Sequence, residues 1–219
     1  MEIREIFTNV FKVDSKLATK SIVKGMKVYD EELIKVGEVE YRLWNPYRSK
    51  LAAAIINGLG EMQIKPGSKI LYLGAATGTT SSHVSDIVEQ KGDVYCIEIS
   101  ERNMRQLLKV CEKRTNMLPL LSDARMVDNY AEEVGEVDVI YQDVSARDQA
   151  DILVRNSRLL KKGGIAYVAI KSQSISSSRD PNEVFKEFLN DVSGTFVVLE
   201  RIDIRPFDKD HLFVSLRKR

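Results

Sequence analysis

Cysteine and histidine are scarce, with two of each in 219 residues. Cys96 lies in an apolar stretch and Cys111 in a helical one, with no metal-ligand spacing around either. No disulfide framework or cysteine metal site is expected, and both read as reduced core residues of a cytoplasmic protein. So few histidines also argue against a histidine-based metal centre. Charge of one sign is missing too: 33 basic residues stand against 32 acidic ones. Tight autonomous binding to nucleic acid takes several clustered cations. The sequence offers only local basic spots, at Arg48 with Lys50 and at Arg217-Lys218-Arg219. No apolar run approaches the ~20 residues that span a bilayer. Met1-Glu2-Ile3-Arg4-Glu5 lacks the layout of a signal peptide, so no membrane association is expected. Internal repeats and low-complexity tracts are absent.

What is present suits one α/β domain with a small appendage. Apolar residues make up 43% of the chain and charged ones 30%. Ile70-Leu71-Tyr72-Leu73 reads as a buried parallel strand. Gly74-Ala75-Ala76-Thr77-Gly78-Thr79-Thr80 follows at its carboxyl end, and Asp93-Val94-Tyr95-Cys96-Ile97-Glu98 is the next strand. In open α/β sheets such strand ends form the crevice that takes nucleotide-like ligands. Glycine lets the backbone pass close to a ligand, and an acidic group about 20 residues on accepts hydrogen bonds from ribose hydroxyls. Glu98 stands at that place. A dinucleotide fingerprint is a poor match, because Ala76 and Thr79 fall where its second and third glycines belong. Gly74-x-x-x-Gly78 suits S-adenosylmethionine better, a ligand that brings no phosphate to the turn.

Around this unit, residues 1–50 alternate apolar and polar in Ile6 to Val13, Met26 to Tyr29 and Val39 to Trp44. This alternation predicts a small antiparallel β domain with turns near Gly25 and Gly37, and residues 51–219 form the second domain. Asn45-Pro46 breaks the pattern, and Ser49 to Gly58 reads as a helix with Leu51, Ala52, Ile55 and Ile56 on one face. Further on, Arg102 to Arg114 is helical, Leu118 to Leu121 a short strand and Val137 to Tyr141 a strand leading to Asp143. Asp148 to Leu160 reads as a helix stopped by Lys161-Lys162-Gly163-Gly164. Ile165 to Ile170 is a strand ending at Lys171, followed by a serine-rich loop from Ser172 to Arg179. Asp180-Pro181-Asn182-Glu183 reads as a capped helix start. Phe196 to Ile204 and Leu212 to Leu216 read as an antiparallel pair.

Glu98, Asp143 and Lys171 thus end three strands and share one rim, with Asp123 as a fourth polar group after its own strand. Asp123 reads equally as a turn cap or as an acceptor for an adenine amino group. His83 reads as structural. Trp44 reads as a joint between the two units, with base stacking by Trp44 or Tyr47 as the alternative.

Five segments then closely resemble fibrillarin: Glu40 to Ile55, the Leu71 to Thr80 turn, Ser82 to Val88, Lys113 to Asn116, and Asp210-His211. The likeness runs over nearly the whole chain. No Gly/Arg-rich N-terminal extension is present, so the short archaeal type is expected. The resemblance implies a class I S-adenosylmethionine-dependent methyltransferase fold, Rossmann-like with a mostly parallel seven-stranded sheet. It implies 2′-O-methylation of rRNA or tRNA ribose at sites chosen by a box C/D guide RNA. The implied partners are that RNA, a Nop-type scaffold protein and a kink-turn-binding protein. It also implies a catalytic set of Lys50, Asp143, Lys171 and His211. By the same resemblance Thr79 and Thr80 hold the cofactor's methionine side, Glu98 its ribose, and Asp123 and Ala124 flank its adenine, with Gly74, Ala75 and Ile99 also in the cofactor-binding set. Asp143, Val144, Ser145 and Ala146 complete that cofactor set. One departure stands out: where many members carry Asp-Val/Ile-Ala-Gln, this chain reads Asp143-Val144-Ser145-Ala146, without the glutamine.

The chemistry is consistent with that set. A sulfonium methyl is already activated, so positioning a ribose hydroxyl in line with it is the main task. A neutral Lys171 would accept the hydroxyl proton, and a charged one would stabilise a developing alkoxide; the sequence leaves both open. A small-molecule O-methyltransferase using a divalent cation and a non-catalytic structural subunit are the rival readings. The rim shows a lysine and no carboxylate cluster, against the first, and an intact set of four residues, against the second.

Overall fold

The computed structural model describes residues 2–219. Five strands, β1 (Ile3–Phe7), β2 (Val10–Val13), β3 (Lys16–Lys20), β4 (Leu33–Val36) and β5 (Val39–Leu43), form an antiparallel sheet in the order β1-β2-β3-β5-β4. Ile6 to Val13 is therefore two strands rather than one. Asn9 turns the chain with φ 61°, a conformation asparagine tolerates better than most residues. Met26 to Tyr29 is not a strand. Its backbone is held instead by Glu31, whose carboxylate accepts from the amides of Val28 and Tyr29 at 2.8–3.0 Å. A 3₁₀ turn over Pro46–Arg48 leads into α1 (Lys50–Ile56), where Ser49 caps the Ala52 amide at 3.3 Å. Leu51 to Ile55 are buried, but Ile56 is 41% exposed and does not belong to the apolar face.

The main sheet holds β6 (Lys69–Leu73), β7 (Asp93–Glu98), β8 (Met117–Leu121), β9 (Val137–Gln142), β10 (Leu160–Lys171), β11 (Phe196–Asp203) and β12 (His211–Lys218). Their order is β11-β12-β10-β9-β6-β7-β8, parallel from β10 to β8, with β12 antiparallel to β10 and β11. Both faces are covered by α2 (Thr79–Val88), α3 (Glu101–Cys111), α4 (Ala131–Val134), α5 (Gln149–Asn156), α6 (Ser172–Ile175) and α7 (Pro181–Val192). A parallel strand covered on both sides is apolar throughout. Ile70 and Tyr72 accordingly enter one core while Leu71 and Leu73 enter the other. From β6 the chain winds outward through β7 and β8, then returns to place β9 on the opposite side of β6. The switch point lies at the carboxyl ends of β6 and β9, where an open α/β sheet leaves a crevice. Among the described residues no helix is long and apolar enough to cross a membrane.

Two local expectations fail here. The helix beginning near Asp148 ends at Asn156 and gives way to a 3₁₀ turn over Ser157–Leu159. Lys161-Lys162-Gly163-Gly164 belongs to β10 rather than stopping a helix. Leu160 is buried and already paired with Val137, and the register slips before Ile165. Gly163, at φ 73°, takes up the irregularity, as glycine does in bulged strands. The serine-rich segment after Lys171 opens as α6 rather than as a loop. The start of α7 is as read, with the Asp180 carboxylate accepting from Asn182 and Glu183 and proline in the first turn.

The small sheet is joined to α2 by a fully buried ionic network. Asp86 accepts from Arg42 at 2.7 Å and from Arg114 at 2.6 Å, and Arg42 also binds Glu31. His83 bonds to Thr19 and Tyr29 and stacks on Trp44 with ring centroids 4.7 Å apart. Burial, then the charges of Arg42 and Arg114, lower its pKa well below the ordinary histidine range. His83 and Trp44 are therefore structural, and Trp44 is buried away from any base.

Candidate active site

The carboxyl ends of β6, β7, β8, β9 and β10 border a cavity of about 400 Å³, within the range of small-molecule sites. Glycine builds its wall for an unexpected reason. Gly74 has φ 82°, and a Cβ there would stand 2.9 Å from the carbonyl oxygen of Asp143. The turn is thus pressed against the end of β9, and the missing side chain lets two strand ends meet. Gly78, at φ 94°, performs the same service between α2 and Leu107 of α3.

Glu98 is 6% exposed and faces this cavity. Its Oε2 accepts from the Ala76 amide and its Oε1 from the Ser100 amide, both at 2.8 Å. Two amides fix the carboxylate, and each oxygen keeps a further lone pair for a hydroxyl. Asp123 lines the opposite wall beside Ala124. It also accepts from the Arg125 amide at 2.9 Å and pairs with the Arg125 guanidinium at 3.2 Å, which is its turn-forming role, while it lines the cavity at the same time. Gly74, Ile99, Val144, Ser145 and Ala146 line the cavity as well. Ala75, Thr79 and Thr80 do not. Ala75 and Thr80 are buried behind the turn, and Thr80 Oγ1 donates to Ser49 at 3.0 Å. Sequence reasoning missed Ala76, Asn103 and Ser122 on the wall. Ala76 carried a signal, since it sits inside the glycine turn.

At the cavity's inner end three side chains converge from distant elements. Asp143 follows β9, Lys171 ends β10 and Lys50 opens α1. Lys171 Nζ donates to the Asp143 carbonyl oxygen at 2.8 Å and to Ser145 Oγ at 3.1 Å, with Asp143 Oδ1 also 2.8 Å away. Lys50 Nζ reaches the same carboxylate, donating to Oδ2 at 3.3 Å and lying 3.2 Å from Oδ1. All three side chains are less than a quarter exposed. Beneath them the rings of Tyr72 and Tyr141 stack at 4.5 Å. Burial, reinforced by the nearby Asp143 carboxylate, pushes both phenols well above their ordinary value. Neither tyrosine offers a base.

His211 stands apart from this trio. It sits directly opposite Lys171 in the β10–β12 register, but its ring binds Asp208 and lines the neighbouring cleft. Gln149 is a positioning residue that no sequence motif flagged. Its side chain accepts from the Lys171 amide at 3.1 Å and donates to the carbonyl oxygens of Ala146 at 3.0 Å and Lys171 at 3.3 Å. It ties the loop after β9 to the end of β10. That loop lacks the familial glutamine, and Ser145 supplies a polar contact there.

Chemically, the cavity joins an anchored carboxylate at one end to an amine–carboxylate–amine cluster at the other. The first suits a ribose diol. The second suits a hydroxyl that must be oriented while it loses a proton. A family model described as Fibrillarin matches residues 1–219. A fibrillarin-like rRNA/tRNA 2′-O-methyltransferase of Methanocaldococcus jannaschii is 53% identical over 224 residues, covering 99% of this chain and 97% of that protein. The structure of Aeropyrum pernix fibrillarin with natively bound S-adenosyl-L-methionine superposes with a TM-score of 0.88 at 40% identity, covering 99% of each chain. Fibrillarin in a complex with Nop5p superposes with a TM-score of 0.91 at 37% identity, covering 99% of this chain and all of that one.

Proposed function

The chain belongs to the fibrillarin family, and from that premise we propose how its residues carry out S-adenosylmethionine-dependent methylation of RNA ribose 2′-hydroxyls. The observation that carries the reading is the meeting of Lys50, Asp143 and Lys171 at the inner end of a cavity anchored by Glu98. S-adenosylmethionine, when bound, supplies a methyl group already activated by a sulfonium. Its ribose fits Glu98, with Ile99 alongside, and its adenine fits between Asp123 and Ala124. Gly74, Val144, Ser145 and Ala146 complete the wall.

The protein's own part is to orient a hydroxyl and handle its proton. Lys171 Nζ donates to the Asp143 carbonyl oxygen and to Ser145 Oγ and lies 2.8 Å from the Asp143 carboxylate, so its donors are turned toward the loop that follows β9. Lys171 therefore serves as a donor that fixes Asp143 and stabilises negative charge developing on the ribose oxygen. Asp143 Oδ1 is buried against Lys171 without an aligned hydrogen bond. The carboxylate as a whole lines the cavity with its side chain 15% exposed, and it is the acceptor for the 2′-hydroxyl proton. Lys50 holds the carboxylate from the other side. His211 acts at the substrate edge, opposite Lys171, rather than on the carboxylate.

A net charge of +1 fits a subunit that borrows RNA affinity. The chain works in a ribonucleoprotein with a box C/D guide RNA that selects rRNA or tRNA sites, a Nop-type scaffold and a kink-turn-binding protein. Residues 1–50 make the β domain and 51–219 the methyltransferase domain, divided one residue into α1. Cytoplasmic residence agrees with two buried free thiols, Cys96 and Cys111, both raised by burial.

The deciding experiment is transfer of labelled methyl to a guide-matched RNA, with and without reconstituted partners. Product at the selected 2′-hydroxyl is expected only in the full assembly. No transfer in an assembled particle would sink the reading. Within it, Glu98→Gln should weaken S-adenosylmethionine binding about 10- to 100-fold by calorimetry, with circular dichroism unchanged. A hydrogen bond to a charged group is worth ~1.5–3 kcal/mol, and the substituted amide turns a donor toward the amide of Ala76 or Ser100. Undiminished affinity would remove Glu98 from the cofactor site.

A further inference from the structure

Beside the catalytic cluster lies a second cleft of about 750 Å³ between α7, β11, β12 and the loop joining those two strands. Lys186, Arg201, Arg205 and Lys209 line it, and His211 marks its inner end. One carboxylate, Asp203, shares the lining, and Arg205 already binds it at 2.8 Å. Lys186, Arg201 and Lys209 are exposed and form no salt bridge among the described residues. Phe185, Leu189 and Leu212 add an apolar surface. The amides at the start of α7 are capped by Asp180, so side chains rather than the helix end supply the positive field. In a chain with net charge +1 this is a pronounced local excess. The sequence hides it, because the cations come from separate elements.

We infer that this cleft carries the phosphates of the substrate RNA strand as it leaves the methylated nucleotide, with a ribose or base resting on Phe185 and Leu212. The inference rests on the function proposed above. Two observations choose this occupant. Repeated unpaired cations above an apolar surface match a nucleotide chain, in which phosphates alternate with sugars and bases. The cleft also adjoins the reactive centre across one strand pair, since His211 on its lining stands opposite Lys171 in the strand register. A strand whose hydroxyl meets Asp143 has this basic channel as its neighbouring path. An acidic protein segment would satisfy the cations as well, but would have no need of a path to the catalytic cluster.

The test reverses Lys186→Glu, Arg201→Glu and Lys209→Glu together in the reconstituted particle. KM for target RNA should rise at least tenfold near physiological salt. Turnover at saturating RNA and affinity for S-adenosylmethionine should change less than twofold. The slope of log(kcat/KM) against log salt should flatten by about 2, since each single-strand phosphate contributes ~0.7. Lys186→Arg, Arg201→Lys and Lys209→Arg together should behave as wild type. In parallel, 4-thiouridine next to the target nucleotide, irradiated in particles lacking cofactor, should cross-link to peptides bearing Phe185 or His211. This readout needs no turnover. Cross-links without methyl transfer would keep the RNA path and overturn the proposed activity. Methyl transfer with unchanged KM, unchanged salt slope and no cross-link would overturn the path alone. Loss of scaffold binding with an unchanged salt slope would assign the cleft to a protein and overturn it too.

Discussion

Replacing Asp143 with alanine is expected to lower methyl transfer by at least ~10³-fold while S-adenosylmethionine binding stays within a few-fold. A positioned proton acceptor contributes ~10²–10⁴-fold, and Asp143 also holds two amines in place. Without it, Lys50 and Lys171 lose their shared carboxylate and face each other as like charges. Lys171→Ala should be comparably severe, because it removes the donor that lies 2.8 Å from Asp143 Oδ1 and stabilises charge on the ribose oxygen. Lys50→Ala, whose contacts are longer at 3.2–3.3 Å, should cost about 10- to 100-fold. Single-turnover kinetics at saturating cofactor and RNA separate chemistry from binding. Asp143→Asn keeps the size and one acceptor oxygen but loses the charge. It should stay within tenfold of the alanine variant if the carboxylate takes the proton. Near-normal turnover by Asp143→Ala or Lys171→Ala would remove both from the chemistry.

These positions were legible because strand tips are. A buried parallel strand announces itself as an apolar run, and a polar residue at its carboxyl end must point into the crevice. Glu98, Asp143 and Lys171 follow that rule. Lys50 is the first residue of α1, and only the family resemblance marks its role. The family resemblance groups His211 with the other three, but its ring binds Asp208 and lines the neighbouring cleft. Register alone brings His211 and Lys171 together, and register cannot be read from one strand. The small sheet was less legible still. In β3 Leu17, Ala18 and Thr19 are all buried, so the alternation that identifies a half-buried strand is lost. Met26 to Tyr29 shows the opposite failure. It alternates, yet its backbone serves the Glu31 carboxylate instead of a ladder. Lys161 to Gly164 resembles a helix stop by composition, and only the pairing of Leu160 with Val137 shows it to be strand.

The least legible feature is the one whose loss should do most damage to stability. Arg42 and Arg114 meet Asp86 across 44 and 28 residues, and no spacing in the sequence pairs them. All three side chains are fully buried. Asp86→Ala should destabilise the fold by ~3–5 kcal/mol, the cost of leaving buried charge uncompensated. For a chain of this size, that is a fall of about 10 °C in Tm. The burden is unequal. Arg42 keeps Glu31, and its two carboxylates outweigh burial, so its pKa is raised. Among the described residues Arg114 has only Asp86 as a direct carboxylate partner, and burial lowers its pKa. Two of its nitrogens, Nε and Nη2, already lack partners among the described residues. The uncompensated charge after Asp86→Ala therefore falls mainly on Arg114. Adding Arg114→Met, which fills much of the same space without charge, should recover part of the loss. Chemical denaturation of the two single variants and the double variant gives that coupling directly. A single Asp86→Ala variant within 1 kcal/mol of wild type, or a double variant that simply sums the two losses, would show that the network does not bind the small sheet to α2 in this way.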